Sequence, residues 1–347
     1  MRIGLMSLGD QIADPVTGQL LSAAARHRML VEAAALADEV GFYSFNVGEH
    51  HGIRYITSSP PVILAAIAER TTTLRVGTAV ALIANLDPWR VAEDYATVDA
   101  LSGGRVDLVV GRGNFFVTTY ELFGQDVGES RAMFEEAVGL ILAAWDRKPV
   151  HWEGEFRAPI DGVPLQPPPV QEPHPPIWIG GGTSNETAEL AGRLGLKLML
   201  PSAFGAPAAF QRIVDVYREA FVPAQPGDQP HIGACWHLNV WETTQEARQR
   251  WEPRYRAYHE WMHVLLRDVN PDLPEYLLKP FDFEWLTTKG PAVVGSPGEV
   301  AERLVELSEL LSVDTHLVKM DMGGLPADEY LAMVGRFGRE VLPVLPP

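Results

Sequence analysis

The sequence holds a single cysteine, Cys235, among 347 residues, so no disulfide can form within the chain. Such usage fits a reducing compartment, and the expected location is the cytoplasm. Basic residues are in deficit: 28 Lys and Arg stand against 45 Asp and Glu, a formal net charge of −17. That balance excludes the basic stripe of a nucleic-acid surface and argues against docking on anionic lipid. No apolar run approaches about 18 residues, so no membrane-spanning helix is expected. Met1-Arg2-Ile3-Gly4-Leu5 runs straight into strand-like sequence and lacks a signal-peptide pattern. Internal repeats with a period of about 20–50 residues are absent.

What is present is a chain able to bury a large core, with 46% hydrophobic and 21% charged residues. Short apolar runs alternate with amphipathic segments. Strands are expected at 2–8, 42–47, 74–82, 106–111, 177–179, 196–200, 231–241 and 315–321. Helices are expected at 26–40, from 58, and at 88–101, 130–146, 184–194, 207–220, 244–267, 297–311 and 327–340. Helices between strands force parallel pairing, and eight such units close into an α/β (β/α)8 TIM barrel. The expected organisation is one domain over 1–347. It is interrupted by a Pro-rich excursion at 149–176, after strand 4, and an insertion at 241–295, after strand 7. The excursion is too long for an ordinary αβ loop and is either a functional loop or a wrapping segment. It and residues 270–290 are candidate lids.

A barrel locates its chemistry at the C-terminal ends of the strands. Glu49-His50-His51 follows strand 2. Neighbours on a strand point to opposite faces, so the two imidazoles do not converge on one metal ion, and the other histidines have no ligand spacing. No metal site is expected. One histidine at the barrel mouth suits acid/base work near neutral pH, with Glu49 as its orienting partner. Gly180-Gly181-Gly182-Thr183-Ser184 follows strand 5 and opens a helix. It reads as an ordinary capped turn or as a phosphate cradle at a helix N-terminus. It is neither a Walker A loop nor a dinucleotide fingerprint. Arg112, flanked by glycines after strand 4, can reach a phosphate, and Arg131 can join it. Phe115, Phe116, Trp89, Trp178, Trp236 and Trp241 are candidates to wall a flat apolar pocket, with Trp178 better suited to packing. Cys235 reads as a buried small hydrophobe.

These pieces together resemble the bacterial luciferase-like monooxygenases, flavin-dependent (β/α)8 barrels. The resemblance rests on Val47-Gly48-Glu49-His50-His51, Val76-Gly77-Thr78-Ala79-Val80 and Leu101-Ser102-Gly103-Gly104-Arg105-Val106 leading to Gly111-Arg112-Gly113. It continues through Ser130-Arg131, Pro176-Ile177-Trp178-Ile179-Gly180-Gly181-Gly182, Val293-Val294-Gly295-Ser296-Pro297-Gly298 and Met320-Asp321-Met322-Gly323-Gly324. It implies that His50 lies over a flavin and serves proton transfer. It implies that Arg112, Arg131, Gly181, Gly182, Thr183, Ser184 and Thr187 bind the flavin phosphate. It also implies a cis peptide near Ala79-Val80, at the cofactor. The implied reaction uses reduced FMN from a separate flavin reductase and O2 to oxygenate a small organic substrate through a C4a-peroxyflavin, in a homodimer. Two departures stand out. Gly111 occupies the place of a reactive cysteine in the luciferase α-subunit, and Thr183 the place of a glutamate, which argues against aldehyde light emission. The rival readings are a deazaflavin-dependent hydride-transfer enzyme on the same fold and a flavin-binding protein without catalysis.

Overall fold

The computed structural model describes residues 1–181, 184–270 and 280–346. The chain begins β1 (Arg2–Ser7), α1 (Ala23–Val40), β2 (Ser44–Val47), α2 (Pro60–Arg70), β3 (Arg75–Thr78), α3 (Pro88–Ser102) and β4 (Val106–Val110). After α4 (Val117–Leu122) and α5 (Ser130–Trp145) comes a hairpin, β5 (Val150–Trp152) and β6 (Ile160–Val163). Then follow β7 (Ile177–Gly180), α6 (Asn185–Arg193), β8 (Lys197–Leu200), α7 (Gln211–Ala220), β9 (Ile232–Val240) and α8 (Thr244–Val269). The last elements are α9 (Phe283–Thr288), β10 (Ala292–Gly295), α10 (Pro297–Leu311), β11 (Thr315–Lys319) and α11 (Ala327–Arg336).

Strands β1, β2, β3, β4, β7, β8, β9 and β11 pair in parallel around a ring, which β11 closes against β1. This is the expected (β/α)8 barrel. The nine-residue β9 has a second use. Its first half pairs with β8 and β11, and its end, His237–Val240, pairs with β10. The region 270–295 is aperiodic as sequence and reads as insertion only, yet β10 is a ninth parallel strand within it.

Local chemistry sets the helix ends. The Ser22 hydroxyl accepts from the Ala25 amide and starts α1 three residues earlier than expected, and Gly41 ends it in the left-handed region. Asp87 caps α3, with Pro88 at its first position. The expected third strand stops at Thr78. Its ladder breaks at Ala79–Val80, whose peptide bond is cis, and resumes at an isolated bridge from Ala81 to Val110. One buried layer lies between the ring and its helices, with Leu5, Phe45, Val76, Leu108 and Ile179 facing Leu30, Leu64, Val91 and Ile141. A second fills the barrel and its mouth, from Trp178 and Leu317 up to Met6, Met199 and the aromatics of α8.

The Pro-rich excursion wraps the outside. Amides of 155–157 donate to the Glu136 carboxylate on α5. The Val170 and Gln171 amides donate to Asp99 on α3, and the Gln171 side chain reaches Val106 at the start of β4. The Asp99 and Val106 anchors lie at the N-terminal rim, opposite the mouth, whereas Arg157 reaches Asp87 at the start of α3.

Asp38 on α1 ties down the turn into β3 by accepting from the amides of Thr72, Thr73 and Leu74. Burial alone would raise its pKa, but these bonds and the Thr73 hydroxyl bring it from 3.8 down to about 2. A depressed carboxyl stabilises the fold above its unfolded pKa, and that contribution is lost as pH falls through the folded value. Denaturant midpoints of the wild type and Asp38→Asn should therefore converge as pH falls from about 4 to 2. A constant gap over that window would refute the role.

Candidate active site

The mouth of the barrel opens into a cavity of about 520 Å³. Its walls are Met6, Leu8, Leu82, Phe115, Phe116, Met199 and Phe210. Polar groups interrupt them at a few places: His50, Arg112, His237 and Lys319. An apolar pocket with sparse, convergent polar groups suits a small molecule. The expected tryptophans are elsewhere. Trp178 is buried in barrel packing, Trp236 donates to His316, and Trp241 lies under Arg250. Among the described residues none of 149–176 lines the cavity. Asn270 does line it, and residues 271–279 beyond it lie outside the described residues.

His50 and His51 part as expected, though both lie in the loop beyond the end of β2. His50 stacks on Tyr55, with ring centroids 3.9 Å apart, and meets Phe116 edge-on. Its Nδ1 is buried without a hydrogen-bond partner among the described residues. His51 turns the other way and donates from Nε2 to Glu49 Oε1 at 2.8 Å. The other Glu49 oxygen accepts from the Leu82 amide at 3.0 Å. Glu49 therefore orients His51 and the chain after Ala79–Val80, and not His50 as expected. The acid/base reading also needs correction. Burial, His51 and the positive charge of Lys319 push the His50 pKa down to about 3. At neutral pH it is an uncharged imidazole.

Arg112 lines the cavity, and among the described residues its guanidinium has no carboxylate within ion-pair distance. Burial and the neighbouring Arg131 both lower its pKa, so two cations face one another there. Arg131 lies 3.7 Å from Glu186 in the first turn of α6. Ser184 occupies the N-cap of α6, but its hydroxyl turns to Thr187 Oγ1 at 3.1 Å and does not cap the backbone. Arg112 and Thr187 thus line one end of the cavity, while Arg131 lies beside it against Glu186 and does not line it. Gly181, Ala79 and Val80 also line it, whereas Gly182 and Thr183 lie outside the described residues. Val80 points between Gly111 and Gly180, where an added Cβ would come within 2.7 and 2.5 Å of its methyls.

The opposite end was not legible as a site. Lys319 on β11 is 1% exposed, and its Nζ donates to Asp10 Oδ1 at 2.7 Å. Asp321 accepts from Arg26 at 3.0 Å and from the Ser7 hydroxyl. These four buried charges sum to zero. Burial opposes the charge on Lys319, yet Asp10 and Asp321 hold its pKa above the usual range. A lysine inside the apolar run His316-Leu317-Val318-Lys319-Met320 was the available signal. Cys235 lies in the wall, and burial pushes its thiol up to about 12, so it acts as an apolar group. No group of three or more potential metal ligands occurs among the described residues, and no helix there is long and apolar enough to cross a membrane.

The chain resembles known proteins along its whole length. A monooxygenase from Streptomyces bottropensis superimposes with a TM-score of 0.84 at 27% identity over 99% of both chains. The oxygenase component of a flavin-dependent trigonelline monooxygenase from Acinetobacter baylyi is 24% identical over 99% of this chain and 95% of its own. The oxygenating constituent of 3,6-diketocamphane monooxygenase from Pseudomonas putida, in complex with FMN, shares the fold, with a TM-score of 0.79 at 20% identity over 100% of both chains. The sequence model of the luciferase-like monooxygenases matches residues 1–314. The chain belongs to the luciferase-like monooxygenase family.

Proposed function

We propose that this protein is the oxygenase component of a two-component system. It receives reduced FMN from a separate reductase and uses O2 to oxygenate a small organic substrate. The observation that carries this reading is the polarity of the cavity. Arg112, Arg131 and the N-terminus of α6 gather at one end, and a neutral His50 with an unpartnered Nδ1 stands in the apolar part. FMN fits these residues. Arg112 has no carboxylate at ion-pair distance among the described residues, and the nearby helix N-terminus also favours an anion. Gly111 and Gly180 make room for the Val80 side chain, which bounds the cavity beside them.

Arg112 and Arg131 neutralise the phosphate, and the hydroxyls of Ser184 and Thr187 complete its contacts. Ala79, Val80 and Gly181 bound the cofactor side of the cavity. When bound, reduced FMN supplies the electrons that activate O2. The chain's task is orientation and water exclusion. Met6, Leu8, Phe116 and Met199 keep the interior dry. His50 holds no proton charge at neutral pH and offers hydrogen-bonding nitrogen at the reacting end.

The deciding experiment is anaerobic titration with oxidised and dithionite-reduced FMN, followed by air while the spectrum is recorded. Binding of reduced FMN and delayed reoxidation are expected. Failure to bind either form, with binding of a deazaflavin, would replace this reading with hydride transfer. His50→Ala should keep FMN binding within about threefold but release hydrogen peroxide roughly tenfold faster, because the dry pocket is breached. Peroxide release at the wild-type rate would remove His50 from this role.

A further inference from the structure

We infer that His237 and Lys319 form a two-donor oxygen site in the cavity, which holds a carbonyl or phenolic oxygen of the substrate. This rests on the oxygenase reading above and names the class of molecule that fits it. Parallel pairing places Lys319 directly between Met6 on β1 and His237 on β9, and all three line the cavity. Registered residues on parallel strands point the same way, so the two nitrogens enter side by side.

The hydrogen-bond inventory fixes what each offers. The buried Tyr255 hydroxyl meets His237 Nδ1 at 2.8 Å, its one hydrogen-bond partner among the described residues. A buried hydroxyl gives its proton to its acceptor, so Nδ1 accepts and the ring proton sits on Nε2. Nε2 is the nitrogen left for the cavity, as a donor. Burial, with Lys319 and His259 nearby, keeps this ring neutral down to about pH 3. Lys319 has three N–H bonds. One is spent on Asp10; the others face Asp321 Oδ1 at 3.5 Å and the Tyr258 ring at 4.7 Å, distances that leave donor capacity for a ligand. Asp10 and Asp321 already balance its charge with Arg26, so a full carboxylate would add an uncompensated negative charge. A neutral carbonyl or phenolic oxygen matches two donors in an apolar cavity better.

The test uses 4-nitrophenol and nitrobenzene as probes, alike except for the phenolic oxygen, with the full-length protein. Wild type should bind 4-nitrophenol about tenfold more tightly than nitrobenzene and shift its spectrum toward the neutral phenol. His237→Phe should reduce that preference to about twofold, and His237→Gln, which keeps an N–H, should restore part of it. Lys319→Met should lower that preference as well. Should it fail to fold, the two His237 variants decide alone. FMN affinity, measured on the same samples, should be the same in wild type, His237→Phe and His237→Gln. An equal preference in wild type and His237→Phe would overturn the inference. So would displacement of 4-nitrophenol by FMN, which would put both donors under the cofactor. Loss of FMN binding in wild type would instead sink the oxygenase reading.

Discussion

Arg112→Ala should weaken FMN binding by about 10- to 100-fold and leave riboflavin binding unchanged. Arg112 follows β4 between two glycines, and among the described residues no carboxylate neutralises it. Its nearest charge influence is Arg131, which repels it. A phosphate placed there relieves that repulsion and gains charge-assisted bonds worth roughly 1.5–3 kcal/mol. Riboflavin lacks the phosphate, so its affinity reports only on the ring end of the cavity. Arg112→Lys should fall between wild type and alanine, because a point charge replaces a planar fork. Both affinities can be read from quenching of flavin fluorescence. Equal losses for FMN and riboflavin would mean that the substitution collapses the cavity, and no loss would place the phosphate elsewhere.

Arg26→Met should cost about 3–5 kcal/mol of stability, the range for breaking one partner out of a buried ionic network. Arg26, Asp10, Lys319 and Asp321 are each 4% exposed or less. Without Arg26, two carboxylates share one lysine, and Asp321 keeps only Ser7 as a close hydrogen-bond partner. The change leaves the apolar stem in place, so the loss is electrostatic and not a cavity. It should appear as a lower urea midpoint at an unchanged slope. Arg26→Met with Asp321→Asn should recover part of the loss, since the pair is coupled and the stranded charge is gone. If the single variant lost less than about 1 kcal/mol, water would have to reach this network.

Much of the fold was legible because its signals are local. Alternating apolar runs and helices mark the repeating unit without tertiary information, although the start of α1 at the Ser22 cap was missed. His50 and His51 do diverge as expected, although in the loop after β2 rather than on a strand. What failed depends on distant partners. Glu49 is adjacent to His50 in sequence, but it is held by the Leu82 amide and by His51. The shift of His50 arises from burial, from the adjacent His51 and from Lys319, which lies far along the chain. The hairpin of β5 and β6 is too short to show a period, and β10 is four residues in an aperiodic stretch. His237 looked like one more strand histidine until its register with Lys319 was known.

The ring closes only when β11 reaches β1, and the Lys319–Asp10 bond spans 309 positions. During synthesis, Asp10 and Arg26 emerge early and wait almost the whole length of the chain for their partners. Until then their charges stay hydrated, and the edge of β1 stays unpaired. Contacts of such separation carry the largest loop-closure cost and form late. The cavity floor is therefore among the last parts of the molecule to exist, and a ribosome stalled before β11 holds a barrel with an open seam and no site.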